Sequence, residues 1–265
     1  MNELNIIVTV KQVPDTAEVR IDPETNSLIR EGIPSIINPE DVNAVEVALS
    51  LKDAHGGMVT ALCMGPPQAE EALEEVLAMG VDKAVLLSDR AFAGADTLVT
   101  AFTLSGAIRK LGSFDLIVCG RQAIDGDTAQ VGPQVAGFLG LPQVTYADEV
   151  VWDSEKLTVR QSLEDRTRWV QVRMPALVTV LLDSNTPRYP SLYNIEAACD
   201  GSRLSRMDAA ALEVPSSSLG LNASPTKVRK IFEPDRSGAR GIVLSGSESE
   251  MVGTLLGKLK ELQVL

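Results

Sequence analysis

The first half of the chain alternates short continuous apolar runs with longer segments of helical period. Residues 4–10, 58–64, 83–87 and 114–119 have strand length and are apolar on both faces, the pattern of buried parallel strands. Between them, Asn38-Pro39-Glu40-Asp41 predicts a helix start, with Asn38 as N-cap, Pro39 at the first helical position and two acids in the first turn. That helix runs to about His55, with Val42, Val45, Ala48, Leu49 and Leu51 on its apolar side, and Gly56-Gly57 ends it. Gly65-Pro66-Pro67 leads into a helix over 68–79. The small-residue loop 91–97 precedes another helix that reaches Leu111, and 128–139 reads as a fourth. Residues 18–22 and 27–31 alternate around Pro23-Glu24-Thr25-Asn26 and predict a surface hairpin.

From Gln143 the texture changes. Residues 144–152, 157–163 and 168–174 carry the polar alternation of antiparallel strands with one wet face, and 176–182 is another buried strand. Turn signals at Asn185, Pro187 and Pro190 precede a short helix from Leu192. Beyond Asp200 the chain is polar, with turn residues at Ser216-Ser217-Ser218, Gly220, Pro225, Pro234 and Gly238, and a last helix over 249–262. The pattern predicts an α/β fold, a Rossmann-like doubly wound, mostly parallel sheet with an antiparallel extension and an extended C-terminal tail. Residues 1–199 would form the main domain. Residues 200–265 carry too little patterned apolar surface for a core of their own and read as an arm laid over a partner or the main domain.

Composition removes several function classes. A net charge of −12 opposes nucleic-acid binding by bulk electrostatics, and no apolar run approaches a membrane span, so membrane insertion is not expected. The three cysteines, Cys63, Cys119 and Cys199, are far apart and in no C-x-x-C pattern, so they read as reduced thiols and not as a zinc site. The one histidine, His55, stands at a helix end, where a C-terminal capping role outweighs catalysis. A Ser-His-Asp triad or a His-based metal centre has almost nothing to be built from. The amino-terminal run enters a strand with no basic flank, which predicts a cytoplasmic protein.

What chemistry remains lies in the loops that follow strands. Gly120 to Gly132, GRQAIDGDTAQVG, joins an apolar strand to a helix start, the geometry that receives phosphate. Gly120 and Gly126 allow close backbone approach. Gln122, Asp127, Thr128 and Gln130 add hydrogen-bonding groups, and Arg121 adds a charge able to meet phosphate or carboxylate. An ordinary strand-to-helix turn with Asp127 as N-cap fits the same residues. In a parallel sheet the loops at Lys11, Met64-Gly65, 92–97 and 120–132 would share one edge, as dinucleotide sites do. The sequence holds no Walker loop, no GxGxxG and no SGGxDS-type loop after the first strand, where Lys11-Gln12-Val13-Pro14-Asp15 stands instead; this speaks against ATP cleavage.

Seven segments carry a more specific likeness: VKQVPDT (10–16), INPEDVNAVEVAL (37–49), MGPPQAEEAL (64–73), AMGVDKAVLL (78–87), AFAGADT (91–97), GRQAIDGDTAQVGPQVAGFLGLPQVTY (120–146) and NTPRYPSLYNI (185–195). In register over most of the length, they resemble the beta (small) subunit of electron-transfer flavoproteins. The resemblance implies a heterodimer with an alpha subunit that holds FAD, and an adenine-nucleotide site in the beta subunit. That site holds AMP in respiratory members and a second FAD in the electron-bifurcating group, which takes hydride from NADH. AFAGADT and GDTAQVGP resemble the bifurcating group, so FAD is the expected cofactor and AMP the alternative.

Carried over by position, Thr9, Lys11, Asn38, Asp41, Met64, Gly65, Gly120, Arg121, Gln122, Ala123, Gly126, Asp127, Thr128, Ala129, Gln130, Val131 and Gly132 form the expected nucleotide-contacting set. Thr128 to Val131 would offer N–H groups to phosphate, and Asn38 or Asp41 would read adenine or ribose. Phe92, Ala93, Gly94, Asp96 and Thr97 are expected near the flavin end. No residue need be a catalytic acid or base, because the cofactor carries the redox chemistry. The family also implies docking through 185–198, with Leu192 as anchor and Tyr189 and Ile195 beside it. The implied partners are an acyl-CoA or 2-hydroxy-acid dehydrogenase, and ferredoxin or flavodoxin as low-potential acceptor.

Overall fold

The computed structural model describes residues 3–15, 20–21, 28–29, 34–153, 155–229 and 241–265. The chain divides into two compact units, Met1–Arg229 and Lys230–Leu265.

The first unit begins with β1 (Leu4–Val10) and β2 (Gln12–Pro14), followed by β3 (Arg20–Ile21), β4 (Leu28–Ile29) and β5 (Ser35–Ile37). β3 and β4 pair antiparallel; the rest of the expected hairpin, with its turn at 23–26, lies outside the described residues. α1 (Pro39–His55), β6 (Gly57–Met64), α2 (Glu70–Met79), β7 (Lys83–Leu87), α3 (Thr97–Leu111), β8 (Leu116–Gly120) and α4 (Val131–Leu139) continue the alternation. Then come the strands β9 (Gln143–Trp152), β10 (Leu157–Ser162), β11 (Thr167–Val172) and β12 (Ala176–Val180), α5 (Leu192–Cys199), β13 (Leu204–Met207) and α6 (Gly220–Ala223).

Nine strands form one sheet in the order β11-β10-β9-β12-β8-β1-β6-β7-β13. Every pairing from β9 to β13 is parallel, and β10 joins β9 and β11 antiparallel. The expected doubly wound α/β sheet with an antiparallel extension is therefore present. Its central strands read as continuous apolar runs because both faces are covered. On one face Ile6, Val8, Val59 and Val118 meet Val45, Leu49, Leu73 and Leu77 of α1 and α2. On the other, Ile7, Leu62 and Ile117 meet Leu104, Ile108 and Val135 of α3 and α4. The chain runs from β1 outward to β6 and β7, then returns to β8 on the other side of β1. The crevice beyond the carboxyl ends of β1 and β8 is thus the topological switch point, where open α/β sheets take ligands.

Three local expectations need correction. α2 begins at Glu70, after a 3₁₀ turn over Pro67–Ala69, and not at Gln68. α4 begins at Val131 and not at Thr128, because Asp127 and Ala129 take φ of 52°, outside helical geometry. Asn38 precedes α1 but makes no side-chain cap, its amide being spent elsewhere. His55 ends α1 and lays its ring edge-on against Trp152, centroids 4.7 Å apart.

Past residue 199, β13 pairs with β7 and extends the sheet, and Leu212 and Leu219 are buried in the core facing α3. In the second unit α7 (Glu248–Glu261) opens with a capping box in which the Ser247 hydroxyl and the Glu250 carboxylate satisfy each other's backbone N–H. Val252, Leu255 and Leu256 of α7 are exposed.

Candidate functional site

The crevice holds a cavity of about 350 Å³, walled by the ends of β1 and β8, the start of α1, the 92–97 loop and the 120–132 loop. Of the residues singled out in the sequence, Thr9, Lys11, Asp41, Met64, Phe92, Gly94, Asp96, Thr97, Gly120, Arg121, Gln122, Ala123, Gly126, Asp127, Thr128, Ala129, Gln130, Val131 and Gly132 line it. Asn38, Gly65 and Ala93 do not. Asn38 is buried behind the wall, Gly65 lines an adjoining cavity of about 570 Å³, and the Ala93 carbonyl accepts from the Leu221 N–H at 3.0 Å. Lys11 and Met64 wall both cavities. Val10, Ala95, Thr100, Leu104 and Cys119 also line the first cavity and were not singled out. Thr100 carried a usable signal, standing three residues after Thr97 on the same helical face.

One wall is built from the first turn of α1. The Asp41 carboxylate accepts from the Lys11 N–H at 2.8 Å and from the Gly120 N–H at 3.1 Å. Burial pushes the Asp41 carboxyl up to about 7, against the smaller opposing effects of the neighbouring Asn38 amide, of these two hydrogen bonds and of the Lys11 charge. Glu40 accepts from the Gln122 N–H at 2.8 Å and pairs with the Arg121 guanidinium at 2.9 Å. The local pattern marks Glu40 only as a helix-dipole acid and gives no sign that it reaches 82 residues ahead. Gly120 must be glycine here, since a Cβ would stand 2.3 Å from the Asp41 carboxylate and 2.9 Å from its backbone nitrogen.

The facing wall is different. Gln122 and Asp127 side chains bond to each other, and the Asp127 N–H reaches the Ala123 carbonyl at 2.8 Å. With Asp127 and Ala129 both left-handed, the backbone then winds through 128–130 before α4 begins. Among the described residues, the N–H groups of Thr128, Ala129, Gln130, Val131 and Gly132 meet no acceptor. Successive open N–H groups at a helix start form an anion-binding concavity. Gly132 lets α4 press onto the sheet at that point, because a Cβ would come within 2.8 Å of both Cys119 Sγ and Thr179 Cγ2. The two cations of the cavity are already paired, Arg121 with Glu40 and Lys11 with Asp125 at 2.6 Å. An anion would therefore be met chiefly by backbone.

On the 92–97 side, Asp96 caps α3 through the Val99 N–H at 3.1 Å and accepts from Thr226 N–H and hydroxyl at 3.0 and 2.7 Å. Phe92, Met64 and Leu104 make this end apolar. Among the described residues no cluster of His, Cys, Asp and Glu could hold a metal, and no helix is long and apolar enough to cross a membrane.

The segment singled out for docking stands away from the cavity. Arg188 anchors it to α1, bonding Glu46 at 2.9 Å and Asp53 at 2.9 Å. Beyond that anchor Tyr189 is 94% exposed, Leu192 87% and Ile195 41%.

Comparison with known proteins places this arrangement in a group. The family profile described as "Electron transfer flavoprotein domain" matches residues 25–215. The chain is 51% identical over 258 residues to the electron transfer flavoprotein subunit beta of Clostridium acetobutylicum, covering 97% of this chain and 98% of the relative. It is 45% identical over 263 residues to the caffeyl-CoA reductase-Etf complex subunit CarD of Acetobacterium woodii, covering 99% and 100%. It is 44% identical over 270 residues to the acryloyl-CoA reductase electron transfer subunit gamma of Anaerotignum propionicum, again covering 99% and 100%.

Proposed function

The chain belongs to the electron transfer flavoprotein beta-subunit family, and from that premise we propose that its switch-point cavity holds the adenylate part of FAD. The observation that carries this reading is the run of open N–H groups over 128–132, opposite a carboxylate-braced wall. The expected contact set stands as proposed, except that Asn38, Gly65 and Ala93 act from behind or beside the wall. A cavity of about 350 Å³ lies near the lower end of small-molecule sites, roughly 300–1,000 Å³, and suits a mononucleotide. The adjoining 570 Å³ across Lys11 and Met64 supports a larger ligand. The mononucleotide fit favours the second reading, in which the same cradle holds a structural AMP.

Bound flavin would supply the hydride and one-electron chemistry. This chain's residues would hold the phosphate, seat the adenylate against β1 and β8, and exclude water from the apolar end. In this reading the protein is an electron carrier that pairs with an electron-transfer flavoprotein alpha subunit in the cytoplasm. It takes electrons from NADH by flavin-based bifurcation. One path leads to a dehydrogenase and the other to ferredoxin or flavodoxin. The names of the two CoA-reductase relatives support an acyl-CoA dehydrogenase over a 2-hydroxy-acid one. The open apolar side chains of Tyr189, Leu192 and Ile195 support docking there.

Cofactor stoichiometry of the purified heterodimer tests the reading. Two FAD per heterodimer is the expected result. One FAD and one AMP would establish the second reading, and no adenine nucleotide on this chain would overturn both.

A further inference from the structure

Asn38 is fully buried, yet it neither caps α1 nor lines the cavity. Its side-chain N–H₂ donates to the Gln122 carbonyl at 2.8 Å, and its side-chain oxygen accepts from the Ile124 N–H at 3.0 Å. Its own backbone N–H donates to the Lys11 carbonyl at 2.8 Å. One residue therefore fastens the loop after β1 to the loop after β8. The amide meets residues 122 and 124 as an adjacent strand would, one donor and one acceptor, two residues apart. Glu40 and Asp41 hold the same loop only as far as Gln122. Asn38 alone among the three reaches beyond it, to the point where the chain turns toward Asp127 and the open N–H groups.

From this geometry we propose that Asn38 is a positioning residue for nucleotide binding. Its amide sets the path of 122–124, and through it the placement of the 128–132 cradle against the phosphate. The inference rests on the nucleotide reading above.

Asn38→Asp removes the donor and sets a carboxylate against the Gln122 carbonyl. The heterodimer, stripped of nucleotide, is titrated with FAD and with AMP. Binding in the variant should weaken roughly tenfold to a hundredfold, the effect of one buried polar group left unpaired. Part of the loss should be recovered as pH falls, because the introduced carboxyl regains a proton to donate. The recovery is read as the difference from the wild type, whose Asp41 titrates in the same wall beside Lys11, Glu40 and Arg121. Gln161→Leu serves as the remote comparison, since Gln161 is buried and braces β10 to β9 through the Thr145 carbonyl at 2.7 Å. That variant should lose melting temperature and keep wild-type affinity. Wild-type affinity in Asn38→Asp overturns the proposal, as does a Gln161→Leu variant whose affinity falls in step with its melting point. If Asn38→Asp does not assemble, hydrogen exchange resolved to single amides decides the matter in the wild type. The Ile124 N–H should be protected in the nucleotide-free heterodimer to the level of β8 amides, and fast exchange there overturns the inference. A wild type that binds neither FAD nor AMP overturns the nucleotide reading itself, a result no variant can mimic.

Discussion

The two walls of the cavity are made of the same kinds of atoms and use them in opposite ways. In the first turn of α1, the side chains of Asn38, Glu40 and Asp41 are committed to backbone N–H and C=O groups of neighbouring loops. Across the cavity, residues 128–132 leave their N–H groups open. A committed polar group defines position, whereas an open one in a concave site needs a partner from outside. The difference separates scaffold from receptor within one cavity, and each wall should fail in its own way.

The largest effect belongs to the scaffold. Gly120→Ala drives a methyl group into the Asp41 carboxylate and the backbone beside it. About 3 kcal/mol of stability should be lost, lowering the melting point by roughly 10 °C. Calorimetry of the nucleotide-free protein checks this, and an unchanged melting point would show that the α1 wall yields.

Thr128→Glu acts on the receptor alone. A carboxylate placed among the open N–H groups competes with phosphate and repels it, so nucleotide affinity should fall by about 2–3 kcal/mol, roughly a hundredfold. The melting point without nucleotide should stay near the wild-type value. Full nucleotide content after gel filtration would break the distinction between the walls.

The same contrast recurs in the segment proposed for docking, where Arg188 is committed to Glu46 and Asp53 and Leu192 is open. Leu192→Ala should leave stability and NADH-driven flavin reduction unchanged while weakening the dehydrogenase complex by about 2 kcal/mol. A lowered melting point with normal turnover would place Leu192 in a core instead.

The smallest effect is a slope. With its carboxyl pushed up to about 7 from an ordinary 3.8, folded Asp41 holds a proton that the unfolded chain has already released. Its contribution is greatest in acid and declines as pH rises through that interval, by at most about 1.4 kcal/mol per pH unit, then levels off above 7. Asp41→Asn sets an amide N–H₂ against a backbone N–H and should be less stable throughout. Denaturant titrations from pH 5 to 8 should nonetheless lack the wild-type slope. An identical slope in both proteins would assign the pH dependence to another group.

Much of this architecture was legible because it is local. Pro39 at a helix start, Gly56 at a helix end, and apolar runs of strand length each declare themselves within a few residues. The cavity was legible as an edge, since parallel strands must present their following loops together. What escaped was long-range. Asn38 has the composition of an N-cap, and its bonds to residues 122 and 124 cross more than eighty positions. Ala129 gives no sign of a left-handed backbone, so α4 was expected three residues early. Leu204–Met207 is too short and too polar to announce a strand; it becomes one only by pairing with β7.

The bonds from Thr226 to Asp96 also set a schedule. The Asp96 carboxylate and the Ala93 carbonyl are satisfied by Thr226 and Leu221, and the Thr226 bond joins residues 130 positions apart. During synthesis at about 5–20 residues per second, roughly 7 to 26 s separate the emergence of this corner from that of the residue that fastens it. The sheet around β1, β6 and β8 can form in that interval, but one wall of the cavity stays unfastened. A nucleotide bound as proposed would therefore meet a fastened wall only after residue 226 has emerged.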